Sequence, residues 1–116
     1  METVDFFSTF QPMRGYRGDT FPVFRVDVSG MESTDGCSMR VVLEDKKTPG
    51  SIAFVKECFH YTGEGEDYFA VQLDSSETAE LCGVYTVHFI LTDTSENDYR
   101  KLVGTLEVFN SPQEVT

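Results

Sequence analysis

The chain has 116 residues, 40% hydrophobic and 25% charged, the composition of one ordinary folded domain with a core of its own. Nine Lys and Arg stand against twenty Asp and Glu, a formal charge of −11, and residues 57–99 hold ten acids and no Lys or Arg. That surface repels phosphate, which sets aside nucleic acid and anionic membranes as partners, and no window approaches the ~20 apolar residues of a membrane span.

Residues 1–16 read as an N-terminal arm or edge strand, with no basic stretch or long apolar run that would make a secretory leader. Over residues 20–28, Phe24, Val26 and Val28 alternate with Arg25 and Asp27, the pattern of a half-buried strand whose start is marked by Pro22. Cys37, Met39, Val41 and Leu43 alternate with Ser38, Arg40 and Glu44 in the next strand, and residues 45–50 are a turn. Residues 51–61 and 67–73 are predicted to pair as one hairpin about residues 62–65.

Residues 74–83 break the alternation. Asp74 and Glu77 have capping-box spacing, Leu81 is the one large aliphatic residue, and Gly83 can take the left-handed closing conformation. One or two helical turns are therefore expected near residues 75–82. Tyr85 opens a central strand with Val87, Phe89 and Leu91 on its core face, and a tyrosine there suits a corner whose phenol bonds back to upstream backbone. Asp74, Leu81, Gly83 and Tyr85 are thus read as a structural corner. Leu102, Gly104, Leu106 and Val108 form the closing strand, and residues 110–116 leave it as an exit tail.

The expected fold is all-β: an immunoglobulin-like antiparallel β-sandwich of six to seven strands with one short helical turn, a single domain over residues 1–116. Its sheets are expected to pack through Phe24, Val26, Val41, Val71, Val87, Phe89, Leu106 and Val108.

Residues that carry chemistry are few. Cys37, Cys58 and Cys82 are odd in number without CxxC spacing, the pattern of free thiols in a reducing cytoplasm. His60 lies two residues from Cys58 and would share its face in a strand, which suits a thiol–imidazole pair, yet no orienting group or oxyanion donor accompanies it. His88 falls on the polar side of its strand. Asp93, Ser95 and Asn97 begin a calcium-loop pattern that fails at Asp98, where glycine is wanted, and at Gly104, where a bidentate Glu is wanted. No catalytic residue, cofactor or metal site is predicted, and calcium at residues 93–98 is left open. Arg17-Gly18-Asp19 spells a cell-adhesion tripeptide but reads as a turn that starts a strand.

Aromatic residues are more telling, because six of fifteen fall in the first 24 residues. If Phe24 faces the core, alternation turns Phe21 outward, and Phe6, Phe7 and Phe10 cannot all point inward. With Met13 and Tyr16 these are the interface candidates, since exposed apolar patches mark protein contacts. The leading expectation is a noncatalytic interaction module, with self-association open. Sandwiches also present aromatic residues to sugars, so a carbohydrate- or surface-binding module is the alternative.

Gly18-Asp19-Thr20-Phe21, the stretch Ser76-Glu77-Thr78-Ala79-Glu80-Leu81, then Gly83-Val84-Tyr85, and finally Leu102-Val103-Gly104-Thr105-Leu106-Glu107-Val108 together resemble small immunoglobulin-like structural domains of tailed phages. The N-terminal domain of baseplate upper proteins is the particular likeness, over about residue 18 to the carboxyl end. That family's Thr-x-x-Leu-x-x-Gly-x-Tyr element is matched with Gly83 one residue early, and its Leu-x-x-Gly with Leu102 two residues before Gly104. The resemblance implies an assembly module of a virion or prophage, partnered by other tail or baseplate proteins and found in the virion or the bacterial cytoplasm.

Overall fold

A computed structural model describes residues 2–5, 13–28, 34–63 and 65–110. Phe6, Phe7 and Phe10, and the exit tail beyond Asn110, lie outside them. Two sheets face each other. The smaller contains β1 (Glu2–Asp5), β3 (Phe24–Asp27), β7 (Glu66–Val71) and β6 (Phe59–Gly63) in the order β1-β3-β7-β6. The larger contains β2 (Met13–Tyr16), β9 (Asp98–Phe109), β8 (Gly83–Thr92), β4 (Ser38–Asp45) and β5 (Ile52–Glu57) in the order β2-β9-β8-β4-β5. One short helix, α1 (Ser75–Thr78), links β7 to β8. The all-β sandwich with a helical turn is as the residue pattern predicts.

Alternation explains the core. Met39, Val41 and Leu43 of β4 lie beside Leu91, Phe89 and Val87 of β8, and all six are buried. They meet Phe24, Val26 and Phe69 of the smaller sheet, where the Phe24 and Phe89 rings stack at 5.6 Å. Of the eight predicted core residues, seven are buried and Val71 is partly buried against them. A small apolar pocket of about 40 Å³ remains between the sheets, against Phe21, Phe24, Val71 and Leu106, with Met13 also lining it.

The strand count is nine among the described residues, not six or seven, for two reasons. The N-terminal arm contributes β1 and β2, four residues each, which pair parallel with β3 and β9. Sandwich edges here are therefore not wholly antiparallel. In addition, residues 51–61 are not one hairpin arm. β5 pairs with β4 in the larger sheet, the chain crosses at Cys58, and β6 pairs with β7 in the smaller. Cys58 N–H donates to Met39 C=O at 2.8 Å at the crossing. One stretch of chain thus forms an edge of both sheets.

Phe21 corrects a second expectation. It is 5% exposed and belongs to the core, because β3 starts only at Phe24 and the residues before it do not follow strand alternation. Phe21 N–H donates to Leu73 C=O at 2.9 Å, and its ring lies over Gly15, where an added Cβ would fall 2.5 Å from a ring carbon. Only glycine fits beneath that ring.

The corner forms with one change. Asp74 is the N-cap of α1 and accepts from Glu77 N–H, while the Glu77 carboxylate accepts from Asp74 N–H, both at 2.9 Å, a complete capping box. Leu81 is buried in the core. The Tyr85 hydroxyl accepts from Cys82 N–H at 2.8 Å and donates to Cys82 C=O at 3.0 Å. Gly83 does not close the helix, which ends at Thr78; its φ of +114° instead opens β8, a backbone state that favours glycine.

Candidate functional site

The chemistry-bearing side chains fall into three clusters whose polar groups are largely met within the fold; His88 Nδ1 is buried without a hydrogen-bond partner among the described residues. At one end, Thr34, His60 and Asp67 converge from the segment before β4, from β6 and from β7. His60 Nε2 lies 2.9 Å from both Thr34 Oγ1 and Asp67 Oδ1, and the Thr34 hydroxyl donates to the Asp67 carboxylate. Residue types match a hydroxyl–imidazole–carboxylate relay, but the connections do not. A relay needs the hydroxyl on one ring nitrogen and the carboxylate on the other. Here a carboxylate at 2.9 Å requires Nε2 to carry the proton, so this nitrogen cannot take one from Thr34, whose own proton goes to Asp67. The Thr34 hydrogen bond, followed by His60, holds the Asp67 carboxyl below the usual range against the opposing effect of burial. The His60 ring stacks on Phe69 at 4.2 Å. The cluster pins a loop.

Cys58 makes no pair with His60. It sits at the crossing between sheets, and burial pushes its thiol up to about 12, which keeps it protonated and unreactive at neutral pH. The shared-face reading fails because Cys58 lies outside both strands.

On the outer face of the larger sheet, His88 Nε2 and Glu44 Oε1 are 2.9 Å apart across β8 and β4, and Glu44 Oε2 accepts from Gly50 N–H at 2.6 Å. The His88 contact, then Gly50, lowers the Glu44 carboxyl. On the same outer face Val42 and Ile90 are buried.

The third cluster is the β8–β9 loop. Asp93 Oδ1 accepts from Ser95 N–H and Asn97 N–H, both at 2.9 Å, and Oδ2 from the Tyr99 hydroxyl at 3.2 Å. The Asn97 and Ser95 backbone bonds hold its carboxyl low. Asp98 accepts from the Thr92 hydroxyl at 2.7 Å. Those carboxylates close the turn on itself, and among the described residues no group of three or more His, Cys, Asp or Glu is arranged to hold a metal ion.

The Arg17-Gly18-Asp19 turn is tied to α1 rather than presented at a loop tip. Arg17 Nε donates to Ala79 C=O, Gly18 N–H to Thr78 Oγ1, and Thr78 Oγ1 to Asp19 C=O, at 3.0, 3.0 and 2.7 Å. Thr78, fully buried, is the hub of this junction.

The interface candidates separate. Phe21 is core and Met13 is half-buried against the core. Tyr16 is 45% exposed and pairs across the parallel β2–β9 ladder with Phe109, 38% exposed, their ring centroids 5.9 Å apart on the outer face. Residue pattern did not single out Phe109, whose exposure follows from its being one step out of phase with buried Val108. A second apolar surface, also missed, lies along β5, where Ile52 and Val55 are each 52% exposed; on β6 Phe59 is 67% exposed. On the outer face of the smaller sheet Tyr61 stacks on Tyr68 at 5.0 Å, and the Arg25 guanidinium covers Tyr68 at 4.0 Å. No helix among the described residues is long and apolar enough to cross a membrane. Compared with known proteins, the chain matches no family model and no curated sequence.

Proposed function

We propose that this protein is a noncatalytic assembly module that acts through protein–protein contacts, as a structural component of a phage or prophage tail or baseplate. The observation that carries the reading is the exposed Tyr16–Phe109 pair, at an edge of the larger sheet and at the last residues of β2 and β9. Aromatic side chains paired on a surface present large, rigid area to a partner at low entropic cost. The polar clusters support it from the other side, since Thr34, His60 and Asp67 are engaged with one another and Cys58 is buried with its thiol protonated. Sugar binding gains less support: Tyr61 and Tyr68 stack on one another and Arg25 covers Tyr68, so these rings do not offer the open face a sugar stacks on.

The test is binding to purified products of the genes flanking this one. Capture of a tail or baseplate protein that is lost in the Tyr16→Ser/Phe109→Ser double variant, with melting unchanged, supports the reading. Flanking genes of metabolism and no binding to any product overturn it.

A further inference from the structure

We propose that the outer edge of β5 is a self-association surface, on which a second copy of this chain lays its own β5 antiparallel and continues the larger sheet across a two-fold axis. The inference deepens the assembly reading above and rests on it. β5 is the last strand of its sheet, with no strand on its far side among the described residues. An open edge invites pairing, and proteins blunt it with short strands, proline, bulges or charged side chains. The opposite edge of this sheet, β2, is four residues long; β5 is six.

The guards on β5 are weak. Residues 51–63 contain no proline. Lys56 is their only Lys or Arg, and its ammonium is drawn away from the edge, donating to Gln72 C=O at 2.6 Å and to Glu77 Oε1 at 2.7 Å. One irregularity interrupts the pairing with β4, where Leu43 meets Phe54 and Glu44 meets Ile52, and it leaves Val55 to Glu57 in regular register. Its effect is to set Ile52 and Val55 on the same outer face as buried Val42 and Ile90, so exposed apolar surface at the edge continues a buried apolar strip.

Charge selects the occupant and its direction. The turn leading into β5 carries exposed Lys46 and Lys47, and the strand ends at exposed Glu57. Antiparallel pairing of two β5 strands brings the lysine turn of each copy beside Glu57 of the other, and the contact repeats itself about the two-fold axis. A parallel arrangement would stack like on like. Across the pair, Val55 meets apolar neighbours at cross-strand distance. Two copies at −11 repel at long range, so added salt is expected to preserve the pair by screening that repulsion.

Sedimentation of the full chain over a range of concentrations tests this. A dimer is expected, weakened at least about tenfold by Val55→Lys, a change at an exposed site that leaves the melting curve in place. Lys46→Glu/Lys47→Glu is expected to weaken it too, and adding Glu57→Lys to restore it. A monomer at the highest soluble concentration, or a dimer indifferent to Val55→Lys and lost instead in Tyr16→Ser/Phe109→Ser, overturns the proposal. The two readings fail separately. A monomer that still binds a tail protein through Tyr16 and Phe109 removes the β5 contact alone, and a β5 dimer that binds no flanking-gene product removes the tail assignment alone.

Discussion

Single residues bind the ends of this sandwich. The Tyr85 hydroxyl satisfies both backbone groups of Cys82, so Tyr85→Phe leaves an N–H and a C=O without their partner in partly buried surroundings. The expected cost is about 1–2 kcal/mol, read as a shift in denaturant midpoint without a change of slope. Four carboxylates act on pH dependence, Glu44, held low by His88 and Gly50 N–H, and three aspartates. Asp67 is held low by the Thr34 hydroxyl and then His60, Asp74 by the Ser76 hydroxyl and Glu77 N–H, and Asp93 by the backbone of Asn97 and Ser95. Each ionises more readily in the folded chain than in the unfolded one. Their contribution is therefore complete above the ordinary carboxylate pKa of about 4 and is lost as pH falls through the lower folded values. A thermal midpoint flat from neutral pH to about pH 5 and falling below it is the expected profile; a midpoint that rises in acid would contradict it.

At the scale of elements, α1 is tied to other parts of the chain at both ends. Its capping box joins Asp74 to Glu77, Glu77 also takes the Lys56 ammonium from β5, and Thr78 takes the turn at Gly18 and Asp19. Asp74→Ala is expected to lower stability by about 1 kcal/mol in chemical denaturation, with Asp74→Asn costing less. Capping spacing made this helix legible from residues 74 and 77 alone, and period-two alternation did the same for β3, β4, β8 and β9. The change of sheet at Cys58 was not legible, because alternation reports which side chains point inward and says nothing about which neighbour a strand chooses. Nor was the Thr34–His60–Asp67 cluster, in which the β6–β7 pairing brings His60 near Asp67 and Thr34 joins from the segment before β4. Phe21 departs from alternation for a related reason: it precedes β3, where the strand period does not hold.

For the whole molecule, burial grades the three thiols. Cys37 is buried and its thiol raised by desolvation, Cys58 is pushed up to about 12 by burial, and Cys82 is exposed with its Sγ 3.3 Å from Asn110 Oδ1. A thiol-directed reagent at neutral pH should label Cys82 alone in the folded protein and all three after unfolding, as peptide mass mapping would show. Equal labelling of Cys58 in the folded state would mean that the crossing between the sheets opens.

The parallel pairing of β2 with β9 also decides how the molecule bears tension. Met13 lies opposite Leu106 and Tyr16 opposite Phe109, so a pull on the start of β2 against the end of β9 slides one strand along the other and strains every bond of that ladder together. β8 and β9, by contrast, are antiparallel with Gly83 opposite Val108, and a pull between Gly83 and Phe109 would peel their bonds one after another, like a zip. Held by a force probe, the chain should therefore yield at higher load from Met13 and Phe109 than from Gly83 and Phe109.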